Sequence, residues 1–231
     1  MIAVAESRYW AVVPAAGVGR RMGGDIPKQY RVLADRRVID HSLARLLRHP
    51  LINTVYVALS AEDPLWNTCE HARDPRVVRV VGGEERCHSV LNALRALTER
   101  GAPDDWVLVH DAARPCLAEQ DLDRLIERLA HHPVGGLLGI PVTDTIKEVD
   151  TLGQVSATRP RDRLWRAFTP QMFRLGLLIE ALERVMASGG QVTDEASALE
   201  AMGYQPLMVE GLAGNIKITR PEDLALAEFY L

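Results

Sequence analysis

Little in this sequence suits a nucleic acid, a membrane or a disulfide framework. Its 27 basic residues are outnumbered by 31 acidic ones, for a formal net charge of −4, and aromatic residues make up only 5%. A nucleic-acid binder shows a basic excess and aromatic side chains on which bases stack, so no partner of that kind is expected. The longest nearly apolar stretch, from Val134 to Val142, is interrupted by glycine and too short to span a bilayer. No positive segment precedes an apolar run between Met1 and Arg8. A signal peptide is therefore not expected, and the cytoplasm is the expected location. The cysteines, Cys69, Cys87 and Cys116, are odd in number, widely spaced and free of any CxxC pair. That excludes a disulfide framework or zinc site as the organising element and leaves three reduced thiols.

The 231 residues, 47% hydrophobic and 25% charged, fit one soluble globular domain running from 1 to 231. Short β-rich runs alternate with helical patterns. Tyr9–Pro14, Thr54–Leu59, Val77–Val81, Trp106–His110 and Gly136–Pro141 read as strands. Helices are expected over Asp40–Arg48, Arg86–Arg100 and Glu119–His131, where Leu122, Leu125, Ile126 and Leu129 form an apolar stripe. This alternation predicts an α/β fold, Rossmann-like, with a mainly parallel twisted sheet flanked by helices. Ligands of such sheets gather at the carboxyl ends of the strands.

The segment Thr145–Arg163 breaks the alternation. It is polar, lacks an apolar stripe and turns at Leu152–Gly153, which predicts a projecting β-arm or a surface loop. Helical patterns return at Arg174–Ser188 and Asp194–Met202, the latter with Asp194 placed as an N-cap and Gly203 just past its end. A last strand is expected at Asn215–Ile218, followed by a helix whose Thr219-x-x-Glu222 spacing fits a capping box.

Anion chemistry concentrates after the predicted strands. Pro14-Ala15-Ala16-Gly17-Val18-Gly19-Arg20-Arg21-Met22-Gly23, followed by Pro27-Lys28-Gln29-Tyr30, joins small residues to cations. Small residues let backbone N–H groups converge on phosphate oxygens, and Arg20, Arg21 and Lys28 supply charge. It is neither a P-loop, lacking Gly-Lys-Ser/Thr, nor a dinucleotide fingerprint, since its spacing is G-x-G-x-x-x-G. Gly82-Gly83-Glu84-Glu85-Arg86-Cys87-His88-Ser89 reads either as a base-contacting loop or as a helix start with an acidic first turn. In His110-Asp111-Ala112-Ala113-Arg114-Pro115, Asp111 is suited to a metal ion, directly or through water, and Arg114 to a phosphate. A salt bridge closing the turn is the alternative, and His110 reads as structural. Lys217, in an otherwise apolar run, must reach an anion or snorkel to water.

In series, PAAGVGRRMG…PKQY, GGEERCHSV, VHDAARP, PVTDTIK, LWRAFTPQ, TDEASALE and NIKITRPEDLALAEFYL closely resemble the 2-C-methyl-D-erythritol 4-phosphate cytidylyltransferase family of the non-mevalonate isoprenoid pathway. The resemblance runs from about residue 10 to Leu231. It implies CTP-binding roles for Ala15, Ala16, Gly17, Gly19, Arg21, Lys28, Gly83, Glu84 and Ser89. It places methylerythritol phosphate and catalysis at Asp111, Arg114, Thr145, Arg161, Thr169, Thr193 and Lys217. It also implies a homodimer in which the β-arm of one subunit reaches the other's site. Glu84 stands where the family often has Asp. Among Arg159, Arg161 and Arg163, Arg161 is chosen by its spacing from Leu164-Trp165.

The implied reaction moves CMP from CTP to a phosphate monoester whose oxygen is already ionised near neutral pH. It needs no general base, in keeping with a sequence that shows no nucleophile–His pair. Mg²⁺ or another divalent cation, Arg21, Lys28 and Lys217 would offset charge as pyrophosphate leaves. The alternatives are a cytidylyltransferase for another polyol phosphate such as ribitol 5-phosphate, a nucleotide-sensing module without chemistry, and a redox dinucleotide protein.

Overall fold

The computed structural model describes residues 8–17 and 26–231. A seven-stranded sheet forms its centre. Strands β1 (Tyr9–Pro14), β4 (Ile52–Leu59), β5 (Val77–Val81), β6 (Trp106–Val109), β7 (Gly135–Pro141), β10 (Trp165–Arg174) and β11 (Leu207–Glu210) lie in the order β11-β7-β10-β6-β1-β4-β5. All neighbours pair in parallel except β10, which is antiparallel to both β6 and β7. The expected mainly parallel α/β sheet is what forms.

Alternation along each strand decides which helix it supports, because successive side chains point to opposite faces. Ala11 and Val13 of β1, with Val55, Val57 and Leu108, pack against α1 (Val38–Arg48) and α3 (Glu119–Leu129). Trp10 and Val12, with Tyr56, Val107 and Val109, pack against α2 (Arg86–Leu97), α4 (Leu175–Ala187) and α5 (Glu195–Ala201). A third, smaller cluster seats α6 (Glu222–Tyr230) on the ribbon of β2 (Val32–Leu33) and β3 (Arg36–Arg37), through Leu33, Ala113, Ile218 and Ala227. No helix among the described residues is long and apolar enough to cross a membrane. Cys69, Cys87 and Cys116 are buried and unpaired, as the cysteine spacing implies.

Two expectations near the C-terminus need correction. Asn215–Ile218 is not a strand: Ile218 N–H reaches the Ala113 carbonyl, but Asn215 and Ile216 bond within their own turn. The segment is held by separate bonds, to the Ala113 and Thr169 carbonyls and from Arg114, rather than by a ladder, and the seventh strand is instead Leu207–Glu210. Nor does Thr219 form a capping box with Glu222. The Asp223 carboxylate accepts the backbone N–H groups of Thr219 and Arg220 and the Thr219 hydroxyl, one position further on. The N-cap expected at Asp194 is present, with its carboxylate accepting Ser197 N–H at 2.9 Å. Gly203 follows α5 at φ +84, the left-handed conformation that glycine adopts at low cost.

The Thr145–Arg163 segment contains an antiparallel hairpin, β8 (Ile146–Val149) and β9 (Val155–Arg159), which forms a sheet separate from the main one. Asp150 organises its turn by accepting the N–H groups of Leu152 and Gln154. Val149, Leu152 and Val155 are exposed by 53%, 82% and 62%, so the hairpin carries apolar side chains outside any core of its own.

Candidate active site

The carboxyl ends of β1, β5 and β6 converge on one edge of the sheet. After β1 the chain turns through Ala15–Gly17, whose carbonyls are held by the Gln29 side-chain amide, at 2.8 Å from Ala15 O and 3.0 Å from Gly17 O. Gln29 belongs to a single 3₁₀ turn, Lys28–Tyr30, anchored by the Tyr30 hydroxyl donating to Asp63 at 2.7 Å. This brings Lys28 to the cleft that Ala15, Ala16 and Gly17 border. Gly19 and Arg21 lie outside the described residues.

The opposite wall is the turn from β5 into α2. Ser89 is buried, and its hydroxyl accepts Gly83 N–H at 3.0 Å, folding the glycine turn back on the helix. A Cβ at Gly82 would lie 2.6 Å from Ala16 Cβ and 2.9 Å from Ser89 Oγ, and one at Gly83 would lie 2.3 Å from His88 Cβ. The two glycines are thus required by the close packing of the two turns. Gly83, Glu84 and Ser89 border the same cleft as Ala15–Gly17 and Lys28, the grouping expected for a nucleotide. Gly82→Ala should push the walls apart at a cost of about 1–3 kcal/mol. A rise of roughly tenfold in KM for CTP in steady-state assays is the expected outcome.

Glu85, Cys87 and His88 bring three potential metal ligands together, the one such group among the described residues. The Glu85–His88 capping box of α2 accounts for their proximity.

A second hollow adjoins the first. Arg114, Thr169, Thr193 and Gln171 border it, and Arg86, Asp111 and Lys217 border both. Asp111 is the centre of the junction. Its Oδ1 accepts Arg86 Nε at 3.0 Å, its Oδ2 meets Lys217 Nζ at 2.8 Å, and Arg114 Nε stands 3.6 Å away. Burial alone would raise the Asp111 pKa. Arg86, then Lys217 and Arg114, outweigh burial and hold the carboxyl well below the ordinary range. A salt bridge between Asp111 and Arg114 is therefore present at 3.6 Å, as one part of a larger cluster. Arg114 is fixed by the Asn215 carbonyl at 2.7 Å and by the Phe168 ring, 4.9 Å from its centroid.

Arg86 and Glu195 are functional candidates to which the sequence motifs assign no role. Arg86 opens α2, and its two terminal nitrogens grip the wholly buried Glu195 carboxylate at 2.6 and 3.0 Å. Burial would lower the Arg86 pKa, but Glu195 and then Asp111 raise it well above its ordinary value. The available signal was an arginine opening the helix that follows a strand's carboxyl end; Glu195 opens a helix that follows another helix, and no such signal marked it. Gln171 completes this wall by donating to Asp194 and accepting Ala196 N–H, both at 2.8 Å.

Thr169 sits where the pairing of β10 with β7 is interrupted between Ala167 and Gln171. Contrary to the sequence reading, a hydroxyl–histidine pair exists: Thr169 Oγ1 lies 3.1 Å from His110 Nδ1. Its protons can be assigned. The Arg114 carbonyl 3.0 Å from Nε2 can only accept, so Nε2 carries the hydrogen and Nδ1 accepts from the Thr169 hydroxyl. That hydroxyl in turn accepts Asp111 N–H at 3.0 Å. Burial pushes the His110 pKa down to about 4, which makes it a poor base and a structural link, the role expected for it. Because the folded pKa lies below the unfolded value of 6.5, the contribution is complete above pH 6.5. It should be lost as pH falls to about 4, by on the order of 3 kcal/mol. Urea unfolding at a series of pH values checks this.

Thr145 and Arg161 border neither hollow within one chain; both are exposed, flanking the hairpin. Arg159 pairs with Glu148 inside the hairpin.

Two adjoining hollows at the strand ends of an α/β sheet, walled by fixed cations and meeting at one buried carboxylate, define an enzyme that joins two anionic substrates, the layout of a nucleotidyltransferase. Comparison with known proteins narrows the class. The chain belongs to the 2-C-methyl-D-erythritol 4-phosphate cytidylyltransferase family, whose model matches residues 9–231. It is 55% identical over 217 residues to the enzyme of that name from Pseudomonas putida strain GB-1, covering 94% of this chain and 92% of the relative. The Hahella chejuensis relative is 51% identical over 226 residues, covering 98% and 94%. The crystal structure of the Francisella tularensis enzyme superposes with a TM-score of 0.85 at 39% identity, covering 97% of this chain and all of that one.

Proposed function

We infer that the chain transfers CMP from CTP to 2-C-methyl-D-erythritol 4-phosphate, giving 4-diphosphocytidyl-2-C-methyl-D-erythritol and pyrophosphate, a step of isoprenoid biosynthesis. The observation that carries this reading is the shared border. In a chain of this family, the nucleotide cleft and the second hollow have Arg86, Asp111 and Lys217 in common. A donor and an acceptor lodged in them meet over that cluster.

The acceptor phosphate is a ready nucleophile, so the protein's task is to hold two polyanions in line and offset charge as pyrophosphate departs. Lys28 and Arg21 belong with the triphosphate. Lys217 stands at the meeting point, and Arg114 and Thr193 belong with the acceptor. Thr169 contributes by holding Asp111 N–H. Asp111 is the carboxylate common to both hollows, and its Oδ1 has Arg86 as its described partner. One carboxylate with substrate phosphates is a ligand set that Mg²⁺ accepts. The residues therefore fit an ion held chiefly by CTP, with Asp111 touching it directly or through water. Such an ion would supply further neutralisation of phosphate charge. Three buried, unpaired thiols suit the reducing cytoplasm as the place of action.

The exposed apolar residues of the β8–β9 hairpin favour a homodimer in which the hairpin is covered by the second subunit, bringing Thr145 and Arg161 to the partner's site. Arg161→Ala and Lys28→Ala subunits, each inactive alone, should then regain activity when mixed, because one site of each heterodimer combines two intact contributions. Mixtures no more active than their components would contradict the shared arm.

The reaction is tested by incubating the protein with CTP, Mg²⁺ and either 2-C-methyl-D-erythritol 4-phosphate or ribitol 5-phosphate and measuring pyrophosphate. Release with the former is expected. Release with ribitol 5-phosphate alone would overturn the assignment.

A further inference from the structure

We propose that Arg86, locked by Glu195, is a positioning residue: it keeps Asp111 paired and in place while Lys217 passes from that carboxylate to a substrate phosphate. The proposal rests on the transfer reaction assigned above. Lys217 Nζ lies 2.8 Å from Asp111 Oδ2. An incoming polyanion competes with Asp111 for this ammonium, which is 35% exposed. Were Lys217 the sole partner, its departure would strand an ionised carboxylate that is only 6% exposed, a costly state. The other oxygen of Asp111 is held by Arg86 Nε at 3.0 Å, closer than Arg114 Nε at 3.6 Å from Oδ2, and the two together make the departure tolerable.

Arg86 can do this only if its guanidinium is itself fixed. Glu195, fully buried, takes both terminal nitrogens at 2.6 and 3.0 Å, leaving Nε for Asp111. A planar fork serves two carboxylates at once, whereas an ammonium cannot reproduce that geometry. The same side chain ties three elements together: α2 beside the nucleotide cleft, the end of β6 at the junction, and α5 beside the acceptor hollow. Glu195 is also the first residue of α5, where a negative charge is favoured by the helix dipole. The Asp111–Arg86–Glu195 line therefore sets the distance between the walls of the two hollows.

The test compares Arg86→Lys and Glu195→Gln with the unaltered protein, by CTP titration calorimetry without acceptor, thermal melting, and steady-state kcat and acceptor KM. Both variants should bind CTP nearly as well as the unaltered protein. Each should lose kcat on the order of 10²-fold, the cost of misplacing a reacting group by about 1 Å. Added to Lys217→Ala, Arg86→Lys should cost little more, because the exchange it supports is already gone. If kcat well below the melting temperature stays near that of the unaltered protein, or if the Arg86 and Lys217 effects multiply in full, the proposal is overturned. Should Glu195→Gln fail to fold, Arg86→Lys, which keeps the positive charge, decides the matter. Absence of pyrophosphate release by the unaltered protein would instead count against the reaction itself.

Discussion

Replacing Lys217 by alanine is expected to lower kcat by about 10² to 10³, or roughly 3–4 kcal/mol of transition-state stabilisation, the usual cost of removing one preorganised charge. The side chain is about a third exposed, at 35%, and its ammonium meets Asp111 where the two hollows join. Folding should be little affected, because Asp111 keeps Arg86 at 3.0 Å and Arg114 at 3.6 Å. The expected pattern is therefore a large fall in kcat with a nearly unchanged melting temperature, measured on the same preparation. Near-normal turnover would remove Lys217 from the chemistry. A melting temperature that falls in step with kcat would make it a structural ion pair.

Asp111→Ala should behave in the opposite way, losing stability as well as activity. Three cations, Arg86, Arg114 and Lys217, face this carboxylate. Removing it leaves them crowded around a partly buried void with only Glu195 to balance Arg86. Breaking a buried pair by removing one partner costs about 3–5 kcal/mol, to be measured by urea unfolding at pH 7. Pyrophosphate should restore part of that loss by binding the uncompensated cations, since a ligand of the folded state stabilises by mass action. The pH dependence has a definite sign. The folded pKa of Asp111 is depressed, so its contribution is present above the unfolded value of about 3.9 and is lost as pH falls below it. The variant should therefore lack that part of the acid-side decline.

The sheet was legible because its strands are apolar runs bounded by turn residues and its helices carry stripes, as Leu122, Leu125, Ile126 and Leu129 of α3 do. Two strands were not. β10 is exposed at its start and buried from Phe168 to Phe173, so neither alternation nor a clean apolar run marks it. β11, Leu207–Glu210, is four residues long at the sheet's edge. Lys217 stood out by its charge but sits in a segment held by separate bonds at Asn215 and Ile218, with no ladder. The site was legible wherever motifs follow strands directly, at Ala15–Gly17, Gly83–Ser89 and Asp111–Arg114. Arg86 and Glu195 escaped notice because their meaning lies in a contact across 109 positions of sequence. The Thr169–His110 pair, 59 positions apart, escaped for the same reason.

That pair also sharpens the decisive measurement. With both substrates seated side by side across the Asp111 cluster, CMP should pass directly from one to the other in a single in-line displacement. Turnover of CTP carrying a chiral phosphorothioate at the α-phosphorus, followed by determination of configuration in the product, reports this step alone. Inversion is the expected result. Retention would mean two displacements through a nucleotidyl-enzyme, with Thr169 as the nucleophile to examine first, and would contradict direct transfer.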